Sequence, residues 1–541
     1  MPANIDAESY CGVVELLEVH AKKYDKKTAF TCMGADISFR DLEKKSTQFA
    51  AYLQSRGLEV GDRIALMMPN LLQYPIAIFG ALKAGLIVVN TNPLYTPREM
   101  EHQFKLSGVK AILVAENFAH NLQKVLPNTD IKTIIITKIG EMLGFMKGPM
   151  VNFAVKYIKR MVPKYDIPNT VTFSAALSDG KKFTLKKINH HPDDVILHQY
   201  TGGTTGLSKG AMLTNRNIIA NVLQIRSCME RTLTEGEETA LCPLPMYHIF
   251  AFTVNCCAMI SFGAHSVLIV NPRQLNTIEA AFKKYPISLM TGVNTLFNAM
   301  MNFEPLRKVD YSHLKVCVAG GMALQTKVAR AWKEMTGCYI AEGYGLTETS
   351  PVATVNPIDG SGVEGSIGLP VPSTIVKIVK ENGEEAGVEE EGEVYVKGPQ
   401  VMKGYYNQPE ETANVIKDGW LITGDIGMML EGGYFAIVDR KKDMINVSGF
   451  NVYPNEIEDV IATHPKVLEV AVIGVPNEKS GEVVKAFIVK KENDLTEQDI
   501  LSWVSESLTK YKIPKSIEFR DELPKTNVGK ILRRALKDEK S

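Results

Sequence analysis

From about residue 28 the chain alternates short β-branched and aliphatic runs with stretches whose apolar positions recur at helical spacing. Arg63–Met68 (RIALMM) reads as a strand, Leu71–Ala84 as a helix and Leu86–Val89 as a strand again; Ala111–Val114 and Thr133–Thr137 continue the rhythm. Such alternation predicts α/β units around largely parallel sheets. One segment breaks it. Over Met150–Val162 (MVNFAVKYIKRMV), Met150, Phe153, Ala154, Tyr157, Ile158 and Met161 share one helical face, Lys156, Lys159 and Arg160 share the other, and Pro163 stops the run. Two readings fit: a surface helix packing its apolar face on the domain, or a helix lying in a membrane interface.

Near residue 439 the pattern changes to a compact α+β one. NVSGFNVYPNEIEDVIATHP predicts a glycine turn and a helix from about Pro454, with proline at the first helical position. Strands at Val467–Val475 and Val483–Val489 follow, then a helix from about Thr496. The expected organisation is a large N-terminal domain of α/β subdomains with mixed sheets (1–438), a hinge linker (439–443) and a small mobile α+β C-terminal domain (444–541).

Composition narrows the class. With 541 residues, 45% of them hydrophobic, the chain is long enough for two or three folded units. Lys plus Arg and Asp plus Glu are equal at 61 each, so no global field gathers nucleic acid. The eight cysteines contain no C-x-x-C pair, and the N-terminus lacks a basic region followed by an apolar run. The most apolar window, Phe252–Val270, carries Asn255, His265 and Gly263, which suits buried strand and helix better than a bilayer span. A cytoplasmic protein is expected.

The candidate chemistry starts at Tyr200–Gly210, YTGGTTGLSKG. Glycines let consecutive N–H groups converge on an anion, hydroxyls follow its oxygens, and Lys209 adds a cation, so the stretch suits a polyphosphate; a plain flexible turn is the alternative. It is not a Walker A loop, because Lys209 is followed by Gly210. The preceding VILHQY is apolar enough to be a strand delivering the loop to a sheet edge. Further on, PLPMYHIFAF sets Tyr247 and His248 in an apolar run, VCVAGG is a strand ending at Gly321, and AEGYGLTETSP flanks Tyr344 with glycines ahead of Thr347 and Glu348. An open tyrosine face suits a stacked adenine and the carboxylate suits Mg²⁺ between phosphates, although a capped helix start fits equally. In GWLITGDIG, Asp425 offers two acceptor oxygens to a pair of ribose hydroxyls. The run Asp439–Asp443 and the lysine of PKTNVGK would by themselves be solvated surface charge.

Together these motifs resemble, in order, those of the adenylate-forming enzymes: acyl-CoA synthetases, luciferases and peptide-synthetase adenylation domains. The resemblance runs from about residue 25 to 536. NFAVKYIKRMVPKY, VDRKKDMINVSGFNVYPNEIEDV and FRDELPKTNVGKILRR look specifically like bacterial long-chain fatty acid CoA ligases. It implies a two-step reaction, carboxylate plus ATP to acyl-AMP and pyrophosphate, then displacement of AMP by CoA. It also implies roles. Thr201, Gly202, Gly203, Thr204, Thr205, Gly206, Ser208 and Lys209 would hold phosphates. Gly321, Tyr344, Asp425 and Arg440 would hold the nucleotide, and Thr347 and Glu348, with Mg²⁺, would hold its phosphates. Tyr247, His248, Phe252, Gly343, Gly449 and Phe450 would line the acyl and CoA pockets, Lys442 would be the hinge and Lys530 the catalytic lysine. Ser208 stands where the family often has Pro or Ala, and Phe252 where some long-chain members have a gating tryptophan. Fatty acid, ATP and CoA are the implied partners, with peripheral contact at the inner membrane and a homodimer left open. A medium-chain or aryl acid ligase, or a non-catalytic acyl-nucleotide or membrane-binding module of this fold, are the alternatives.

Overall fold

A computed structural model describes residues 2–201, 208–477, 480–526 and 528–539. The apolar runs assemble into two large mixed sheets. The first has eight strands, ordered Gly404–Tyr405, Lys209–Thr214, Val195–Thr201, Ile87–Asn90, Arg63–Met67, Val109–Ala115, Thr133–Thr137 and Val171–Thr172. Val195–Thr201 (β1) and Lys209–Thr214 (β2) form an antiparallel hairpin, and from β1 onward the sheet is parallel. β1 is therefore an interior strand rather than an edge; the loop it carries emerges at its carboxyl end, where ligands of open α/β sheets gather.

The second sheet has nine strands: Ala35–Ser38, Thr28–Cys32, His265–Leu268, Thr239–Cys242, Leu289–Gly292 (β3), Val316–Ala319 (β4), Ile340–Gly345 (β5), Val352–Val355 and Leu369–Pro370. It is parallel from Thr28–Cys32 to β5 and antiparallel beyond both. Residues of both sheets share one core, and helix Gln73–Lys83, buried at all its positions, lies within it. Three helices follow strands of these sheets: Asn215–Met229 (α1) after β2, closed at its start by a Thr214–Asn217 capping box, Asn294–Met301 (α2) after β3, and Thr326–Thr336 (α3) after β4.

A third, antiparallel sheet contains Trp420–Met429 (β6) paired with Phe435–Arg440 (β7). A fourth is built from residues 445–520 with a core of its own around Ile445, Ile457, Val472 and Ile488. Its helix Pro454–Ala462 (α4) starts at the predicted proline, and Thr496 caps the next helix with a capping box.

The segment at 150–162 departs from the packed-helix reading. It is a helix over Lys147–Phe153 continued by a π-helical turn over Ala154–Ile158. It is tied to the domain through Asn152, whose Oδ1 accepts from the Gly140 N–H at 2.8 Å, while Lys156, Lys159 and Arg160 are exposed. The apolar face is left in water: Met150 is 71% exposed, Phe153 57%, Tyr157 61%, Ile158 69% and Met161 54%. No helix among the described residues is long and apolar enough to cross a membrane. No disulfide joins cysteines among the described residues, and Cys256 and Cys257 are buried.

Candidate active site

The carboxyl ends of β1 and β3–β5, the β6–β7 ribbon and the residues around Lys530 converge on one cavity of about 2210 Å³. Its floor follows from strand periodicity. Leu289, Thr291 and Val293 along β3, and Val316, Val318 and Gly320 along β4, alternate onto one face and line it. Ile225 and Met229, four residues apart on α1, also line it, and Leu233, Leu244, Val254 and Met259 complete its apolar lining, a trough.

At its other end the trough opens into a polar chamber. β5 brings Glu342, Gly343 and Tyr344 there, and the following 3₁₀ turn brings Thr347 and Glu348. A Cβ on Gly345 would fall 1.9 Å from the Pro351 carbonyl oxygen, so only glycine lets the chain turn there. The Tyr344 hydroxyl donates to Asp425 Oδ2 at 2.7 Å, and Arg440, directly opposite Asp425 in the β6–β7 register, places Nε 3.5 Å from Oδ1. Asp425 is thus aimed from two sides. Tyr405 donates to Glu348 Oε1 at 2.6 Å, leaving Oε2 with no protein partner among the described residues.

Lys530 enters the chamber from the C-terminal unit. Thr526 and Lys530 exchange hydrogen bonds, N–H of Lys530 to Thr526 Oγ1 at 3.0 Å and N–H of Thr526 to the Lys530 carbonyl at 2.7 Å. Gly529 has φ +84°, and its carbonyl accepts from Thr295 Oγ1 at 2.8 Å; both the angle and the approach call for glycine. Burial pulls the Lys530 ammonium down to about 7; Arg440 adds to this, Asp425 opposes it, and Arg533 and Lys442 add further. An amine so placed is a cation waiting for an anion.

Most of the residues read from sequence meet here. Thr201, Ser208, Lys209, Tyr247, His248, Gly321, Gly343, Tyr344, Thr347, Glu348, Asp425, Arg440, Lys442 and Lys530 all line the cavity. Gly202, Gly203, Thr204, Thr205 and Gly206 lie outside the described residues. Lys209 is paired with Glu411 and sits 5.3 Å over the Tyr405 ring. Burial takes the His248 imidazole down to about 4, with the Lys530 charge acting in the same direction, so His248 is neutral at ordinary pH.

Three of the expected site residues do not line the cavity in this orientation. Phe252 is fully buried in the core, and the phenylalanine of this segment that lines the cavity is Phe250: two residues along a helical segment turn a side chain to nearly the opposite side. Gly449 and Phe450 stand outside the cavity, with Phe450 55% exposed and stacked on Tyr511 at 4.8 Å. Sequence reasoning also passed over Glu342, two residues before Tyr344 on the same strand face, which period-two alternation could have found. Burial raises its carboxyl to about 8, so it keeps its proton at neutral pH. Glu411 carried no local signal, since its role comes from packing against β2.

A family model described as AMP-binding enzyme matches residues 17–406, and one described as AMP-binding enzyme C-terminal domain matches 456–530. The chain belongs to the AMP-binding enzyme family. Within it, the chain is 53% identical over 540 residues to a long-chain-fatty-acid–CoA ligase of Yersinia pestis, covering 100% of this chain and 96% of the relative. It is 40% identical to the protein of that name from Bacillus subtilis, covering 97% and 94%. Among solved structures, ATP-bound MatB from Rhodopseudomonas palustris superposes with a TM-score of 0.82 at 27% identity, covering 97% and 98%. The anthranilate CoA ligase AuaEII with anthranoyl-AMP gives 0.88 at 24% identity over 99% of each chain, a likeness of fold.

Proposed function

We propose that this AMP-binding enzyme is a long-chain fatty acid CoA ligase. The observation that carries the reading is the junction inside the cavity, where an apolar trough ends at the chamber holding Asp425, Arg440, Glu348 and Lys530. A fatty acid laid along β4 brings its carboxylate to Gly320 and its tail towards Val316. The four residue steps from Val316 to Gly320 span about 13 Å, and an extended chain of about 1.5 Å bonds advances about 1.3 Å per carbon, so the strand floor alone takes roughly ten carbons. Met229 and Leu233 also line the cavity.

In the first step a carboxylate oxygen forms a bond to the α-phosphorus of ATP while the bond to pyrophosphate breaks. The acid is its own nucleophile, so the protein's work is alignment and charge. Asp425 accepts from the ribose hydroxyls, Tyr344 offers its ring to adenine, and Lys530 meets the charge at the α-phosphate. Thr201, Ser208 and Lys209, with the residues between, are the reading's phosphate contacts. Glu348, with one carboxylate oxygen unpartnered among the described residues, would fit a Mg²⁺ ion, which takes one or two carboxylates plus substrate phosphates; bound there, the ion would offset phosphate charge. In the second step the CoA sulfur bonds to the acyl carbon, AMP leaves with the C–O bond, and the thiol proton passes to solvent. Both steps need the small domain, which the reading places beyond a linker at 439–443 with Lys442 as pivot; rotation there would retire Lys530 and bring the Gly449–Phe450 turn towards the site for CoA.

A series of saturated acids in the CoA-ligation assay tests the reading: kcat/KM rises beyond about ten carbons. An optimum at aryl or medium-chain acids assigns the trough to another substrate.

The exposed face at 145–161 supports peripheral membrane contact. Phe145 (88% exposed) and Met146 (68%) extend the apolar face of Met150, Phe153, Tyr157, Ile158 and Met161, and Lys147, Lys156, Lys159, Arg160 and Lys164 accompany them with no acidic residue between 142 and 165. Each basic residue near an anionic surface contributes about 1 kcal/mol, so binding is weak and salt-sensitive. Lys156→Glu/Lys159→Glu/Arg160→Glu abolishes co-sedimentation with anionic liposomes; unchanged sedimentation removes the assignment.

A further inference from the structure

Hydrogen bonds hold the small C-terminal unit over the cavity from both sides: the Tyr453 hydroxyl donates to Glu391 Oε2 at 2.8 Å and Asn455 Nδ2 to the Val438 carbonyl at 3.2 Å, while α2 and α3 donate the other way. Thr295 Oγ1 on α2 donates to the Gly529 carbonyl at 2.8 Å, and Asn298 Nδ2, nearly one turn on, donates to the Leu468 carbonyl at 2.9 Å. At the start of α3 the Thr326 N–H donates to Asp459 Oδ1 at 3.4 Å, and Lys327 Nζ donates to the carbonyls of Ala462 at 2.9 Å and His464 at 3.1 Å. In these five bonds from α2 and α3 the donor belongs to the large unit and the acceptor to the small one.

Lys327 is the charged member of this seam, and its place has a physical logic. Ala462 is the last residue of α4, so the ammonium sits at the carbonyl end of a helix, where unsatisfied C=O groups and the helix dipole favour a cation. Burial and the neighbouring Lys491 both depress its pKa, a cost that the two carbonyl bonds offset. None of these bonds touches the reacting groups. They exist only while the small unit presents Gly529 and Lys530 to the chamber; in any other orientation the carbonyls and the ammonium return to water.

We propose that Lys327 is a positioning residue, the latch that selects the orientation in which Lys530 faces the site, and that it acts through the carbonyl end of α4. The inference rests on the reading in which the small domain takes two orientations about Lys442. A group that binds one orientation alone shifts the population by its differential interaction. Removing the latch therefore slows only the half-reaction that needs that orientation.

The test compares Lys327→Met, Lys327→Arg and Lys530→Ala in two assays, hexadecanoate-dependent ATP–pyrophosphate exchange and CoA-dependent consumption of supplied hexadecanoyl-AMP. Lys327→Met lowers exchange about tenfold and leaves the second assay unchanged or faster, and Lys327→Arg restores most of the exchange. Unchanged exchange in Lys327→Met, or an equal fall in both assays, overturns the latch. Lys530→Ala separates the two levels: if it loses exchange while Lys327→Met does not, only the latch falls, and if it keeps exchange the underlying reading falls instead.

Discussion

At the scale of single residues, the site turns on a lysine that the fold holds at a disadvantage. Lys530 titrates at about 7 instead of 10.5, chiefly through burial and then through Arg440. Below pH about 7 the folded protein keeps a buried charge that the unfolded chain carries freely. Between about 7 and 10.5 only the unfolded chain holds the proton, so stability rises with pH, and above 10.5 the difference vanishes. Lys530→Met should therefore raise Tm by roughly a few degrees at neutral pH, with the gain shrinking as the pH approaches 10; a gain independent of pH would mean that the lysine is not depressed. The position of Lys530 was legible, because PKTNVGK resembles a known motif. Its four ionic neighbours were not, since Asp425, Arg440, Lys442 and Arg533 come from separate stretches of the chain and only the fold assembles them. Phe252 shows the same limit: the sequence showed aromatics near His248, but which of Phe250 and Phe252 turns to the cavity depends on helical phase.

At the scale of elements, strand alternation was readable along VCVAGG, and the trough it lines was not. Its floor needs β3 beside β4, and its lining also needs Ile225 and Met229 from α1, a pairing that local periodicity does not specify. That lining makes a prediction of its own. If the acyl tail continues past the strand floor to Met229, Met229→Trp blocks its end, so kcat/KM for octadecanoate should fall by at least tenfold while that for decanoate changes little. Equal losses for both acids would place the tail elsewhere. The segment at 147–158 teaches the complementary lesson. Its amphipathic pattern was plain, but a pattern says that a face must be covered and not by what; the structure leaves that face in water.

At the scale of the whole molecule, two domains must serve two half-reactions with one cavity. The change of pattern late in the chain announced a small C-terminal domain, whereas the observed orientation, with Lys530 inside, rests on contacts from α2 and α3 that no local pattern announces. The Lys442 amide donates to no backbone carbonyl among the described residues, so proline there costs no such bond while fixing φ and restricting Lys441. Lys442→Pro should leave adenylation intact and slow acyl transfer to CoA by at least roughly tenfold, a barrier of about 1.4 kcal/mol, with equal losses in both steps indicating a folding defect. The central claim, an acyl-adenylate formed before CoA is needed, is tested most directly by ATP–pyrophosphate exchange without CoA. The expected result is exchange that requires a long-chain fatty acid and falls by about two to three orders of magnitude in Lys530→Ala. Exchange without any acid, or acyl-CoA formation with no exchange, would contradict it.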